Sequence, residues 1–337
     1  MSEALSTSRV LASLKAAGES TRLRVLALLA AGEHNVTDLT RILGQSQPRI
    51  SRHLKLLTDA GLVERYREGS WVFFRLAETG GVARLTRGFI DALDAGDPVL
   101  ERDRDRAEAI RRERVETAQA YFRAHAAEWD RIRALHVAED RVETAMVEIL
   151  GEGPFDLVVD LGTGTARILE LLSDRVDRGL GIDISGDMLA YGRAKLGQAG
   201  LKHCHVRQGD LYRLGLDDDV ADVVVLHQVL HFLSDPPGAL REAARILAPG
   251  GRLLIVDFAP HELEFLREEH AHQRLGFDEA QIGQWVTDAG LDLANFRELK
   301  PGDGRGELTV SLWLARKPGE GDAATSGAER QLEAAQR

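Results

Sequence analysis

The sequence predicts an α+β head followed by an α/β body. Three observations support this. At 337 residues the chain is longer than one ordinary domain, so two are expected. The first hundred residues show helical patterns, then two strand-like alternating runs. From Phe155 onward, short apolar runs alternate with amphipathic stretches, the order that builds a parallel sheet with helices on both faces. Charge divides at the same place. Residues 1–98 hold 13 Lys+Arg against 11 Asp+Glu, and the rest holds 30 against 43. A slightly basic head on an acidic body implies different partners for the two parts. The overall charge of −11 argues against non-specific nucleic-acid binding by the whole chain.

In the head, Glu19–Ala30 reads as a helix with a Ser/Thr cap, ended by Gly32. Val36–Leu43 is a short second helix stopped by Gly44. A third helix begins near Ser46, with Pro48 in its first turn, where a missing N–H costs nothing. Ile50, Leu54 and Leu57 are spaced to pack inward. Gln47, Arg49, Ser51, Arg52, His53 and Lys55 are left on the other faces. A polar, cationic helix face after a short helix and a glycine turn suits a DNA major groove. Gly61–Arg67 and Ser70–Leu76 alternate around Glu68-Gly69 as a β-hairpin, whose Arg65, Arg67 and Arg75 are placed to reach phosphates.

The stretch Ser46-Gln-Pro-x-x-Ser-Arg-His-Leu-Lys-x-Leu57, with Ala60-Gly-Leu-Val63, resembles the ArsR/SmtB winged helix-turn-helix repressors over roughly residues 8–98. The resemblance implies a homodimer formed through the winged-helix domain, its first and last helices (here Val10–Ala17 and Val82–Leu93) packing across a two-fold axis, on operator DNA. It also implies where a metal would bind. The Cys-x-Cys position is Asn35-Val-Thr37, and the last helix offers Asp91 and Asp94 without a histidine, so no metal site is expected.

Residues 99–135 form a charge-rich helical connector. It reads either as a solvated helix held by i,i+4 ion pairs, each worth ~0.3 kcal/mol, or as a mechanical link. Tyr121-Phe122 and Trp129–Ile132 interrupt its polarity, either as a ligand lid or as packing onto the body.

The body spans 136–317. Phe155–Leu161 reads as a buried strand that breaks at Gly162-x-Gly164, with a helix beginning near Ala166. Glycines let backbone approach a ligand, and a helix start favours anionic groups. Gly179–Ile184 is a second strand ending in Asp183, an acid placed to accept ribose hydroxyls. Cys204–Asp210, Val220–Leu230 and Arg252–Phe258 follow as strands, and Leu291–Leu299 with Leu308–Ala315 as a closing antiparallel pair.

Asp160-x-Gly162-x-Gly164 with Asp183, Gly209-Asp210-Leu211 and Leu247–Leu253 resembles the class I S-adenosylmethionine-dependent methyltransferases from about Tyr121 to Pro318. The third small position is Ala166. The resemblance implies a Rossmann-like, seven-stranded sheet whose last hairpin is antiparallel. It implies S-adenosylmethionine or S-adenosylhomocysteine as ligand, with Asp210-Leu211 reading the adenine. Gly162, Gly164, Asp183, Asp210 and His227 should converge at the carboxyl strand ends.

His227 and His231, four apart, fit one helix face, either as a zinc pair or lining the acceptor side. His261, His270 and His272 among Glu262, Glu264, Glu268 and Glu269 read as a solvated helix, with a metal or effector site as the alternative. A single cysteine, Cys204, excludes an intramolecular disulfide. Together with the lack of a signal pattern or membrane span it points to the cytoplasm. It also disfavours arsenite methylation, which in its family relies on several thiolates. Residues 318–337 are rich in Gly, Ala, Glu and Gln and are expected to be disordered.

Two functions remain. One is a transcriptional regulator whose body senses an adenosyl ligand. The other is a bifunctional protein, an active methyltransferase on a small acceptor regulated by its DNA-binding head. Positioning alone can drive methyl transfer, so the absence of an obvious acid–base pair in the sequence decides nothing.

Overall fold

The structure is a computed structural model that describes residues 4–68, 71–77, 80–125, 139–301 and 308–319. Trp129–Ile132 of the aromatic segment and all but the first two residues of the 318–337 tail lie outside the described residues. The chain forms two compact units, the first ending at Glu116 and the second starting at Thr117.

The first unit opens with α1 (Thr7–Ala17), whose N-cap Ser6 accepts from the Arg9 N–H. In α2 (Ser20–Ala31) the cap is Glu19, not a Ser or Thr; its carboxylate accepts from the Arg22 N–H at 3.0 Å. A two-residue strand β1 (His34–Asn35), which periodicity cannot show, leads into α3 (Val36–Leu43). Gly44, at φ 63°, ends α3 in the left-handed region and turns the chain into α4 (Gln47–Asp59). Strands β2 (Val63–Glu68) and β3 (Trp71–Leu76) pair antiparallel from Val63↔Leu76 to Glu68↔Trp71. The sheet order is β1-β3-β2, and α5 (Gly80–Asp91) follows. Leu26, Ile42, Ile50, Leu54 and Leu57 are fully buried between these elements.

The next helix, α6 (Pro98–His125), begins in the first unit and ends in the second. Asp97 receives the Val99 N–H at 2.7 Å and starts it. Its first half is not a solvated connector. Ile110 is buried in the head core, and several of the helix's charges pair with the helix-turn-helix, beside a Glu108–Arg111 pair along the helix itself. The Arg24 guanidinium grips the buried Asp103 carboxylate with bonds of 2.6 and 2.7 Å. Arg114 pairs with Asp38 at 2.6 Å, Arg106 donates to the Ile42 carbonyl at 2.9 Å, and Arg41 pairs with Glu113. The division between the two compact units falls inside this helix, after Glu116, and the boundary expected at residue 98 coincides with the helix start.

In the second unit, α7 (Glu139–Leu150) precedes β4 (Phe155–Leu161), α8 (Arg167–Leu172), β5 (Val176–Asp183), α9 (Gly186–Gln198) and β6 (Cys204–Gln208). Then come β7 (Ala221–His227), α10 (Pro236–Ile246), β8 (Leu247–Phe258), the short α11 (Phe265–Glu269), α12 (Glu279–Asp288), β9 (Asp292–Leu299) and β10 (Val310–Arg316). The seven strands run β6-β5-β4-β7-β8-β10-β9. The first five are parallel, and β10 is antiparallel to both β8 and β9, as the sequence predicts. Strands buried on both faces need apolar runs, and Val158–Leu161 and Val223–Leu226 supply them. No described helix is long and apolar enough to cross a membrane.

Candidate functional site

Four neighbouring parallel strands, β6, β5, β4 and β7, bring the expected residues to one carboxyl edge. After β4 the chain turns back over β5. The Gly162 and Thr163 N–H groups donate to the Ile182 carbonyl at 2.7 and 3.1 Å. Gly162 sits at φ 75°, Gly164 at 51° and Ala166 at 63°, all left-handed. Two carboxylates hold this turn. Asp160, buried under it, accepts from Thr163 Oγ1 at 2.6 Å. Asp183 accepts from the Gly164 N–H at 2.9 Å with one oxygen and from the Ser185 N–H at 2.8 Å with the other. Burial pushes the Asp183 carboxyl up, against the backbone donors of Ser185, Gly164 and Ile184 that pull it down. With three backbone donors on it, the carboxylate keeps acceptor capacity for a ribose hydroxyl. Asp210 is exposed beyond β6 and receives the Tyr212 N–H at 3.0 Å, whereas Leu211 is buried in the core. His227 is the last residue of β7.

Two residues not foreseen shape the turn. A Cβ on Gly181 would lie 2.5 Å from Thr163 Oγ1, so a glycine in β5 makes room for the hydroxyl that Asp160 holds. A Cβ on Gly162 would lie 2.4 Å from Val229 Cγ2, so the segment after β7 packs directly on the turn. Gly181 carries a sequence signal, a glycine inside a strand. Val229 carries none.

In the head, Gln47, Arg49, Ser51, Arg52 and Lys55 are exposed on α4, as expected, with Lys55 paired to Asp59 at 2.9 Å. His53 is not on that face. It is 9% exposed, with Nδ1 3.5 Å from Glu19 Oε2, and burial lowers its pKa. It is three residues after Ile50 and four before Leu57, which places it on the inward stripe. The hairpin arginines also divide. Arg65 and Arg67 are exposed on one face. Arg75 lies on the other, bonded to Glu64 at 3.2 Å and over the Tyr66 ring at 5.8 Å.

The family model for bacterial regulatory proteins of the arsR family matches residues 19–65, and the model for a methyltransferase domain matches residues 159–255. The chain carries an arsR-family head and a methyltransferase domain. An uncharacterized 37.1 kDa protein of transposon TN4556 from Streptomyces fradiae is 30% identical over 164 residues, 44% of this chain and 47% of that one. The ubiquinone/menaquinone biosynthesis C-methyltransferase UbiE of Vibrio parahaemolyticus is 35% identical over 122 residues, 35% of this chain and 47% of that one. The chain thus spans about half the length of the curated relatives it matches. Among solved structures, a chain of the complex between the Haloferax volcanii Trm112 methyltransferase activator and a methyltransferase aligns with 26% identity and TM-score 0.50. That alignment covers 58% of this chain and 97% of that one.

Within the methyltransferase domain the histidines differ most from expectation. His227 ends a strand and His231 lies in a 3-10 turn (Leu230–Phe232), so they share no helix face. The His261–His272 stretch is not one solvated helix. After α11, His270 ends the helix and Ala271, at φ 57°, sends His272 inward, where its ring stacks on His231 at 4.1 Å. Glu262, Glu268 and Glu269 take the solvent side. Tyr121 Oη meets His270 Nδ1 at 2.6 Å, and Phe122 packs edge-on against Phe232 at 4.8 Å. Among the described residues no cluster is suited to a metal.

His261 makes this region acid-sensitive. Burial, reinforced by nearby His231, lowers its pKa from 6.5 to about 4, while Asp257 and Glu264 oppose the shift and Arg267 adds to it. The unfolded chain takes up this proton first, so stability present above pH 6.5 is lost as pH falls toward about 4. Urea midpoints across that window should fall more steeply in the wild type than in His261→Asn. Equal slopes would remove His261 as the cause.

Proposed function

We propose that the chain is a DNA-binding transcriptional regulator whose methyltransferase domain binds S-adenosylmethionine or S-adenosylhomocysteine as effector. The glycine turn braced by Asp160 and Asp183 carries the ligand half of this reading. Gly162, Gly164, Asp183, Asp210 and His227 form the binding edge, with Asp160 beneath it. The exposed polar face of α4 carries the DNA half. Gln47, Arg49, Ser51, Arg52 and Lys55 enter the major groove, and Arg65 and Arg67 reach phosphates. Leu11 and Leu14, 49% and 46% exposed on one face of α1, are the apolar contacts of a homodimer. The bifunctional alternative is favoured by one observation, the buried His231–Asp257 pair.

An effector must bind the DNA-bound and free forms with different affinity. A gel-shift titration on a duplex from the chain's own promoter region tests this. One adenosyl ligand should change operator affinity about 5- to 150-fold, and the operator should change that ligand's affinity by the same factor. If neither ligand moves the midpoint, the effector role is wrong. Arg52→Ala and Gln47→Ala should each weaken operator binding about 5- to 100-fold, the loss of one base contact, with adenosyl affinity unchanged by calorimetry.

A further inference from the structure

We propose that His231 is the proton acceptor of a methyl-acceptor site in the methyltransferase domain, with Asp257 as its positioning residue, and that the acceptor is a hydroxylated aromatic ring. The proposal rests on the reading that this domain binds S-adenosylmethionine.

Asp257 is fully buried near the end of β8. It receives the Phe258 N–H at 2.8 Å, the His231 N–H at 3.3 Å and His231 Nδ1 at 2.7 Å. An ionised carboxylate only accepts, so the proton sits on His231 Nδ1 and the lone pair on Nε2. A carboxylate so placed fixes the tautomer of the ring and stabilises the imidazolium once a proton arrives. Most buried side-chain polar atoms have a hydrogen-bond partner. His231 is 2% exposed, yet its Nε2 has no hydrogen-bond partner among the described residues.

A second imidazole points the same way. His261 Nδ1 accepts from the Leu263 N–H at 3.3 Å, which leaves the proton on Nε2, and that atom is buried without a partner among the described residues. A buried unpaired donor is destabilising, a cost that a bound oxygen removes. The walls are aromatic. Phe232 and Phe258 lie 4.1 and 5.1 Å from the His231 ring, and Phe258 is 6.0 Å from His261. Flat rings suit such walls. The location is right as well: Val229, two residues before His231, packs on Gly162 of the glycine turn.

Bound adenosylmethionine supplies an electrophilic methyl carbon. The acceptor O–H bond breaks, its electron pair stays on oxygen and the proton bonds to His231 Nε2. The phenolate oxygen then forms the O–C bond while the C–S bond breaks, its pair remaining on sulfur. No further reactant is required.

4-Nitrophenol is the probe, because its phenolate is yellow and its phenol is not. Added to the full chain saturated with S-adenosylhomocysteine, at a pH where it is mostly protonated in solution, it should develop the phenolate band. His231→Gln should abolish the band, and Asp257→Asn should move its appearance to higher pH. Both variants should retain S-adenosylhomocysteine affinity by calorimetry, which also reports that they fold. If His231→Gln fails to fold, Asp257→Asn decides. No band in the liganded wild type, or an equal band in the variants, overturns the proposal. Failure of the wild type to bind S-adenosylhomocysteine would instead sink the adenosyl reading on which it rests.

Discussion

Asp103→Ala is expected to destabilise the head by ~2–4 kcal/mol, the cost of breaking a mostly buried ion pair from one side. Asp103 is 2% exposed and holds the Arg24 guanidinium through two parallel bonds, 79 residues away in sequence. Removing the carboxylate leaves a guanidinium with five donors on a partly dry surface. The Arg24 side chain is 20% exposed, so water recovers some of the loss and the lower end of the range applies. The double variant Arg24→Leu/Asp103→Leu separates the pair from the packing. It should lose less than Asp103→Ala, because neither charge is then stranded. Urea unfolding supplies the energies, and amide exchange in α2 and α3 locates the loss. A cost under ~0.5 kcal/mol, typical of surface pairs, would mean that α6 does not depend on this contact for its place on the helix-turn-helix.

The same contact shows where reading the sequence stops. Periodicity places each residue on a helix face but does not name its partner. The run Glu101–Arg106 has the composition of a solvated helix, and nothing local distinguishes the buried Asp103 from the exposed Asp105. The elements themselves were legible. Alternation in Val63–Glu68 and Trp71–Leu76 gave the hairpin, and apolar runs separated by helical stretches gave five parallel strands. The glycine spacing and the acid at Asp183 marked the ligand edge because both requirements are local, a left-handed backbone and a strand end. The His231–Asp257 pair was invisible because its members are 26 residues apart on adjoining strand exits, and only the β7–β8 register brings them together. His53 failed for a subtler reason. A helix stripe 100° wide admits residues at i+3 as well as i+4, and a histidine there can face a capping glutamate instead of a groove.

Gly162→Ala should abolish adenosyl binding and destabilise the methyltransferase domain by about 2–5 kcal/mol, from two costs. The first is conformational. Gly162 sits at φ 75°, where an L-residue costs roughly 1–2 kcal/mol. The second is steric. The new Cβ would meet Val229 Cγ2 at 2.4 Å and Val229 Cβ at 2.8 Å, and overpacking of this kind costs typically 1–3 kcal/mol. Val229 cannot rotate clear, because its Cβ is itself inside contact distance. Val229→Ala in the same chain removes the Cγ atoms and should recover part of the loss, leaving the conformational share and the contact with the Cβ at position 229. Gly197→Ala is the control. It lies in α9 with nothing within 4 Å of the added carbon, and exchanging a helical glycine should be neutral or stabilising by about 0.5–1 kcal/mol. Ala166 already occupies a left-handed position at φ 63° in the same turn, so the backbone penalty alone is tolerable there. What distinguishes Gly162 is the close approach of Val229. If Gly162→Ala keeps wild-type adenosyl affinity, the turn is not the ligand cradle, whatever its resemblance to one.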